Sequence, residues 1–324
     1  RTSAKWRDPG HNKIQKVLFC LETCNLHKLS CCLHFFSHLL QRKNLSKMKF
    51  LKNLSRSKSG ELEVGRSKSG EGEEVNKFDK VANFYPGALS NAELVSKVGA
   101  VLSKHGYGET TLLATSLCCD EVNRTLEASF DKIYGENFHM GGLAGFPFCG
   151  ATSFGAMAHH IPANGSCLIV YGPHVGVDLD GNVGKVNRRG RQASGPCCGS
   201  ATAAAGYVKN VRSGKINKAG IPDDPFDAQQ TWVGNLLLPH AERLASAPVE
   251  AAEVPLALFD CQDELMQKIV GAMCGEVAGE GKIALLGGIQ INTPPGYSDY
   301  FLPKVFVLKN NKGDTIEVLL PELS

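Results

Sequence analysis

The sequence predicts an α/β fold, a mostly parallel β-sheet flanked by helices, over residues 76–324. Three observations carry that expectation. The runs at 111–117, 167–171 and 283–291 are short and continuously apolar, as strands covered on both faces must be. Stretches of helical spacing separate them, and strands alternating with helices indicate a parallel sheet. Glycine clusters, above all GGLAGFPFCGATSFGA at 141–156, supply tight turns or close packing between these elements. In sheets of this kind, sites gather at the C-terminal ends of strands, so the chemistry is to be sought there.

Taken in order, residues 1–58 hold many Lys, Arg and Ser and only Asp8 and Glu22 as acids, a transit-peptide composition. The first methionine is Met48, so untranslated or disordered sequence is the competing expectation for this leader. RSKSGE then occurs at 56–61 and again at 66–71, a polar tandem repeat that reads as a flexible linker. Residues 1–75 are therefore assigned to leader and linker, and 76–324 to a single α/β domain. Within it, Ser90 to Glu93 form a capping box that opens a helix through Leu94, Val98, Val101 and Leu102, ending at Gly106. A second helix is expected over 120–134, from the spacing of Val122, Leu126, Phe130 and Ile133. An Ala-rich helix covers 200–211 and another 262–274; the end of the chain reads as a hairpin turning near Asn311 and Gly313.

Of the 324 residues, 43% are hydrophobic and 21% charged, enough apolar material for a substantial core. A net charge of +3, without a concentrated basic face in the globular part, argues against nucleic-acid binding. No apolar run reaches the length of a membrane-spanning helix, so no membrane insertion is expected. The twelve cysteines include adjacent pairs at 31–32, 118–119 and 197–198, awkward for a disulfide ladder, and no secretory signal precedes them. Reduced thiols, a few of them metal ligands, are the better reading.

The polar residues cluster where the strand rule points. Cys118-Cys119-Asp120-Glu121-Val122-Asn123-Arg124 directly follows the first strand. In extended backbone, positions two apart share a face, so Cys118 and Asp120 point together and Cys119 away. Once a helix begins, Asp120 and Arg124 lie one turn apart and can pair. His174 stands just past the second strand, and Cys197-Cys198-Gly199 precede the Ala-rich helix, whose N-terminus favours thiolate.

Two thiolates and one imidazole make a soft tetrahedral zinc set with one position open to water. Zinc lowers the pKa of such a water to about 7, giving a hydroxide nucleophile. Arg124, gripping Asp120, would keep the carboxylate off the metal and free to orient the hydroxide. Each residue alone also has a plainer role, buried Cys being common as a small hydrophobe. Spacing does not show that positions 118, 174 and 198 converge.

Other features carry less. Cys20, Cys24, Cys31 and Cys32 are a possible metal set within the leader, and Cys149, His159 and His160 are reserve ligands read as structural. VDLDGNVGK at 177–185 does not fit the EF-hand spacing and reads as a turn at Asp180-Gly181. Lys185, Arg188, Arg189 and Arg191 form a small basic loop, read as solvated. Phe146 and Phe148 are candidate pocket walls or, more simply, packing residues.

SLCCDEVNR, the 141–156 glycine stretch, YGPHVGVDLDGNVGKVNRRGR and CCGSA together resemble the limiting-CO2-inducible B protein (LCIB) family of algae, across about residues 76–324. The resemblance implies a β-carbonic-anhydrase-like fold, a homodimer and a zinc (Zn2+) carbonic anhydrase, a lyase interconverting CO2 and bicarbonate in an algal carbon-concentrating system. It implies metal ligands at Cys118, His174 and Cys198, with Gly199 matching the Cys-Gly of β-class sites, and an Asp120–Arg124 dyad. Arg124 lies four residues past Asp120 where β-class enzymes have two, and His174 is far from Cys198 where they have His-x-x-Cys. The neighbouring Cys119 and Cys197 stay open as alternative ligands. A second reading is a non-catalytic zinc-containing partner acting by complex formation or bicarbonate binding; a third is a thiol redox protein. The family and the basic leader imply a chloroplast location, while translation from Met48 would leave the protein cytoplasmic.

Overall fold

Every residue from 76 to 162 and from 165 to 324 is described by the computed structural model. The leader, the linker repeat and the Cys20, Cys24, Cys31 and Cys32 set lie outside the described residues. The strands are β1 (Leu89–Ser90), β2 (Thr111–Ser116), β3 (Asn137–His139), β4 (Ser166–Tyr171), β5 (His174–Gly176), β6 (Lys185–Val186), β7 (Gly195–Pro196), β8 (Ile283–Asn292), β9 (Tyr300–Lys309) and β10 (Thr315–Val318). The α-helices are α1 (Asn91–Ser103), α2 (Arg124–Tyr134), α3 (Gly150–Ala158), α4 (Gly199–Arg212), α5 (Ala228–Leu237), α6 (Ala241–Ser246) and α7 (Glu250–Met273).

Eight strands form the main sheet in the order β1-β9-β8-β4-β2-β3, with β10 beside β9 and β5 beside β8. β3, β2, β4, β5 and β8 pair in parallel, while β9 runs antiparallel to β8, β1 and β10. This is the mostly parallel α/β architecture expected, closed on one side by the anticipated C-terminal hairpin. β6 and β7 make a separate two-stranded ribbon.

Both faces of the central strands are covered, which explains their unbroken apolar runs. Cys167, Ile169, Ile283 and Leu285 pack on one face with Phe154 of α3 and Phe259 and Met266 of α7. Leu168, Val170, Ala284 and Leu286 pack on the other with Leu94 and Val98 of α1 and Phe130 of α2. The alternation along each strand follows from the two-residue period of the pleat. A third apolar cluster, built mainly from α4, α5 and α7, includes Cys118 and Cys198.

Helix α1 starts as expected. Glu93 N–H donates to Ser90 Oγ at 3.3 Å and Ser90 N–H donates to Glu93 Oε2 at 3.1 Å, a reciprocal capping box. Two helix expectations need correction. The helix expected at 262–274 begins at Glu250 and runs through Pro255, because the buried face of Val254, Ala257 and Leu258 outweighs the lost amide. The helix expected from Asp120 begins as a 3₁₀ turn at Glu121–Asn123, and α-helix follows only at Arg124. No described helix is long and apolar enough to cross a membrane.

Glycine fixes the C-terminal edge of the sheet at two positions. A Cβ on Gly172, at φ +153°, would stand 1.7 Å from the Gly288 carbonyl oxygen, and one on Gly145, at φ +86°, would stand 2.2 Å from that of Gly172. Ser116 Oγ–H then donates to the Gly145 carbonyl at 2.9 Å, tying the glycine loop to the end of β2.

Candidate metal centre

β2, β4 and β8 are neighbours in the sheet, so residues that follow their C-terminal ends converge. Cys118 lies just beyond β2. His174 opens β5, after the Gly172-Pro173 break that follows β4. Cys198 is the N-cap of α4. These three, expected from sequence as ligands, come together: their candidate ligand atoms all lie within 4.8 Å of one another, and all three residues are buried. Cys118 Sγ and Cys198 Sγ are 3.9 Å apart. Cys119 is exposed, as the strand geometry implies.

The two thiols divide in acidity. The Cys118 thiol is pushed up to about 12, first by its hydrogen bond with Cys198 and then by burial. Cys198 is lowered, by the Cys118 hydrogen bond against the cost of burial, with help from the amides of Ala201 and Ser200 at the start of α4. Burial works against a charged His174, yet its contacts with Cys118 and Cys197 raise it well above the ordinary value.

Chemistry and geometry both fit a metal. His174 Nδ1 lies 2.8 Å from Asn292 Oδ1, while His174 Nε2 is buried and has no hydrogen-bond partner. A buried imidazole nitrogen left without a proton partner, beside two thiols, suits a soft divalent ion such as zinc. An overlapping group, Asp120 with His174 and Cys197, also lies within 4.8 Å, which brings the carboxylate to the edge of the cluster.

The expected Asp120–Arg124 pair does not form. Asp120, with φ −58° and ψ 134°, caps the 3₁₀ turn from outside the helix, so Arg124 is not one α-helical turn away. Arg124 instead donates from Nη1 to Glu127 Oε2 at 2.5 Å and from Nη2 to the Cys118 carbonyl at 2.8 Å. Arg188 takes the position assigned to it. Its Nη1 donates to Asp120 Oδ1 at 2.9 Å and its Nη2 to Asp120 Oδ2 at 2.8 Å, and Glu121 accepts a further bond from Nη1 at 2.5 Å. This is the two-pronged geometry that a guanidinium offers a carboxylate. Burial pushes the Asp120 carboxyl up, but Arg188, Glu121, His174 and the Val122 amide together outweigh it and hold the group well below the usual carboxylate range.

Arg188 belongs to the basic loop read as solvated, and the local fold shows why it is not. Asp178 accepts from the amides of Asp180 (3.1 Å) and Asn182 (2.8 Å) and from Ser194 Oγ (2.8 Å), cinching the loop at its base. The turn expected at Asp180-Gly181 is present, with Gly181 N–H donating to the Asp178 carbonyl at 2.8 Å. β6 and β7 then pair, returning the chain to Cys197 and sending Arg188 back to Asp120. The remaining candidates stand apart. Cys149, His159 and His160 are exposed, and Phe146 is fully buried against Phe148, at 5.4 Å between ring centroids, as a packing residue.

A cavity of about 300 Å³ opens beside the cluster, lined by His174, Cys197 and Cys198, by apolar Val175 and Val254, and by charged Lys209 and Glu250.

A mostly parallel α/β sheet with a Cys-His-Cys cluster at its C-terminal edge defines the class of candidate metalloproteins to which this chain is assigned. The profile described as limiting CO2-inducible proteins B/C, beta carbonic anhydrases, matches residues 88–310, and the chain belongs to that family. The crystal structure of PtLCIB4, a homolog of the limiting CO2-inducible protein LCIB, is 47% identical over 74% of this chain and 98% of its own, with a TM-score of 0.70. The crystal structure of LCIB itself is 18% identical over 74% of this chain and 98% of its own, with a TM-score of 0.57, a likeness of fold. No curated protein sequence matches the chain significantly.

Proposed function

We propose that this chain interconverts carbon dioxide and bicarbonate, with zinc held by Cys118, His174 and Cys198. The observation that carries the proposal is Asp120, gripped by Arg188, at the edge of a buried Cys-His-Cys cluster. A zinc ion in that set supplies Lewis acidity, which makes water a nucleophile near neutral pH. The chain's own residues do the rest. Arg188 occupies one side of each Asp120 oxygen and Val122 N–H donates to Oδ1 at 3.3 Å, so Oδ2 keeps an acceptor site free. That site would accept a hydrogen bond from the attacking oxygen and aim its lone pair at the substrate carbon. The adjoining cavity, about 300 Å³, has room for a small gas molecule beside the cluster.

Stopped-flow hydration of carbon dioxide by the full chain, with zinc determined on the same sample, tests the proposal. Activity at about one zinc per chain, falling by roughly 100-fold or more in Asp120→Ala while zinc is retained, is the expected result. Full zinc content with no hydration would leave the non-catalytic partner as the reading.

A further inference from the structure

The cluster presents His174 with more thiols than it can use. Cys118 and Cys198 lie on one set of contacts, while Cys197 Sγ stands 3.6 Å from His174 Nδ1. Which pair shares an ion with the imidazole depends on which ring nitrogen carries a lone pair. That choice is made by a residue outside the cluster.

Asn292, the last residue of β8, is fully buried, and its amide has one workable orientation. Its Nδ2 donates to the Val122 carbonyl at 3.1 Å and also faces the Asp299 carboxylate. Flipping the amide would turn its oxygen toward those two acceptors and leave its N–H groups facing the ring. With the amide fixed this way, Oδ1 meets His174 Nδ1 at 2.8 Å and only an N–H at Nδ1 makes a bond there. Cys197 Sγ lies 3.7 Å from the same Oδ1, so this thiol has an acceptor of its own.

We propose that Asn292 is a positioning residue: it holds the Nδ1–H tautomer of His174, leaves Nε2 as the only nitrogen able to bind metal, and so selects Cys118 and Cys198 over Cys197 as partner thiolates. Metal-binding histidines commonly depend on such a partner for their other nitrogen. Asn292 also links the ring to the 3₁₀ turn that Asp120 caps, since Val122 belongs to that turn. The inference rests on the zinc reading above, and its test separates the two.

The test is nitrogen-15 NMR of histidine-labelled full chain loaded with zinc, together with zinc dissociation constants for wild type and for Asn292→Leu. Wild type is expected to show His174 protonated at Nδ1 and metal-bound through Nε2. Asn292→Leu is expected to bind zinc roughly 10- to 100-fold more weakly and to lose the Nδ1–H signature. Zinc bound through Nδ1 in wild type, which needs no variant to fold, would overturn the inference. So would equal affinity in a folded Asn292→Leu. A wild-type chain that binds no zinc would overturn the metal reading itself, and this inference with it.

Discussion

Arg188 grips Asp120 through two parallel hydrogen bonds of 2.9 and 2.8 Å, across 68 residues of sequence. Arg124, only four residues from Asp120, is engaged with Glu127 and the Cys118 carbonyl instead. The two arginines should therefore fail differently. Arg124→Ala leaves the buried Glu127 carboxylate without its cation while Thr115 Oγ still donates to it at 3.0 Å. With Arg124 half in solvent, the expected loss is about 1–3 kcal/mol of folding stability. Hydration per bound zinc should change less than about threefold. Chemical denaturation and stopped-flow assays of this variant check both halves.

The cysteine pairs give a second prediction. Cys118→Ser and Cys198→Ser should each lower zinc content well below one per chain, since a two-ligand remnant binds poorly. Cys119→Ser should keep full occupancy because that side chain is exposed. Cys197→Ser should keep it too, if Cys197 serves Asn292 and not the metal. Metal analysis after dialysis against a weak chelator reads all four.

Gly172→Ala is expected to be among the most damaging single substitutions in the sheet. Its Cβ would overlap the Gly288 carbonyl oxygen at 1.7 Å, backbone that cannot swing aside. A loss above about 3 kcal/mol, or failure to accumulate folded protein, is expected. Gly190→Ala, where nothing lies within 4 Å of the added carbon, carries only the strain of its φ of +78° and should cost far less. Thermal unfolding of the pair gives the comparison.

A pH effect follows from Asp299. Burial pushes its carboxyl up, against hydrogen bonds from the Thr293 amide (2.8 Å) and Thr125 Oγ (2.8 Å). A carboxyl raised in the folded state binds its proton more tightly folded than unfolded. Its contribution is complete below the ordinary value near 4 and is lost as pH rises through the folded value. Asp299→Asn mimics the protonated form. Its destabilisation relative to wild type should shrink as pH rises from about 3.5 to 7, measured by urea unfolding in chelator. Growth of the difference over that range would contradict the assigned direction.

Much of this molecule could be read before its structure. The strands announced themselves because both faces are buried, and Ser90 with Glu93 marked a helix start that capping chemistry enforces. The segments that hold Cys118, His174 and Cys198 stand out because each lies where an apolar run stops or a helix begins, while the choice of these three as one set rests on the family resemblance. Arg188 was not, because nothing local distinguishes it from Arg189 or Arg191 in the same loop. Its role depends on how Asp178 cinches that loop and how β6 and β7 return it. Arg124 was misassigned because four-residue spacing assumes continuous α-helix, and the chain spends that interval in a 3₁₀ turn. Asn292 reads in sequence only as the end of a strand; its meaning comes from the Val122 carbonyl, the Asp299 carboxylate, His174 Nδ1 and the Cys197 thiol around its amide.

The most direct test of the account is the rate of carbon dioxide hydration per bound zinc in Arg188→Ala beside wild type. Zinc is expected to stay near one per chain while the rate per zinc falls by roughly 100-fold, because Asp120 loses the two bonds that fix its orientation. A zinc-loaded Arg188→Ala with wild-type hydration would contradict it, since the Asp120–Arg188 pair would then have no part in the chemistry.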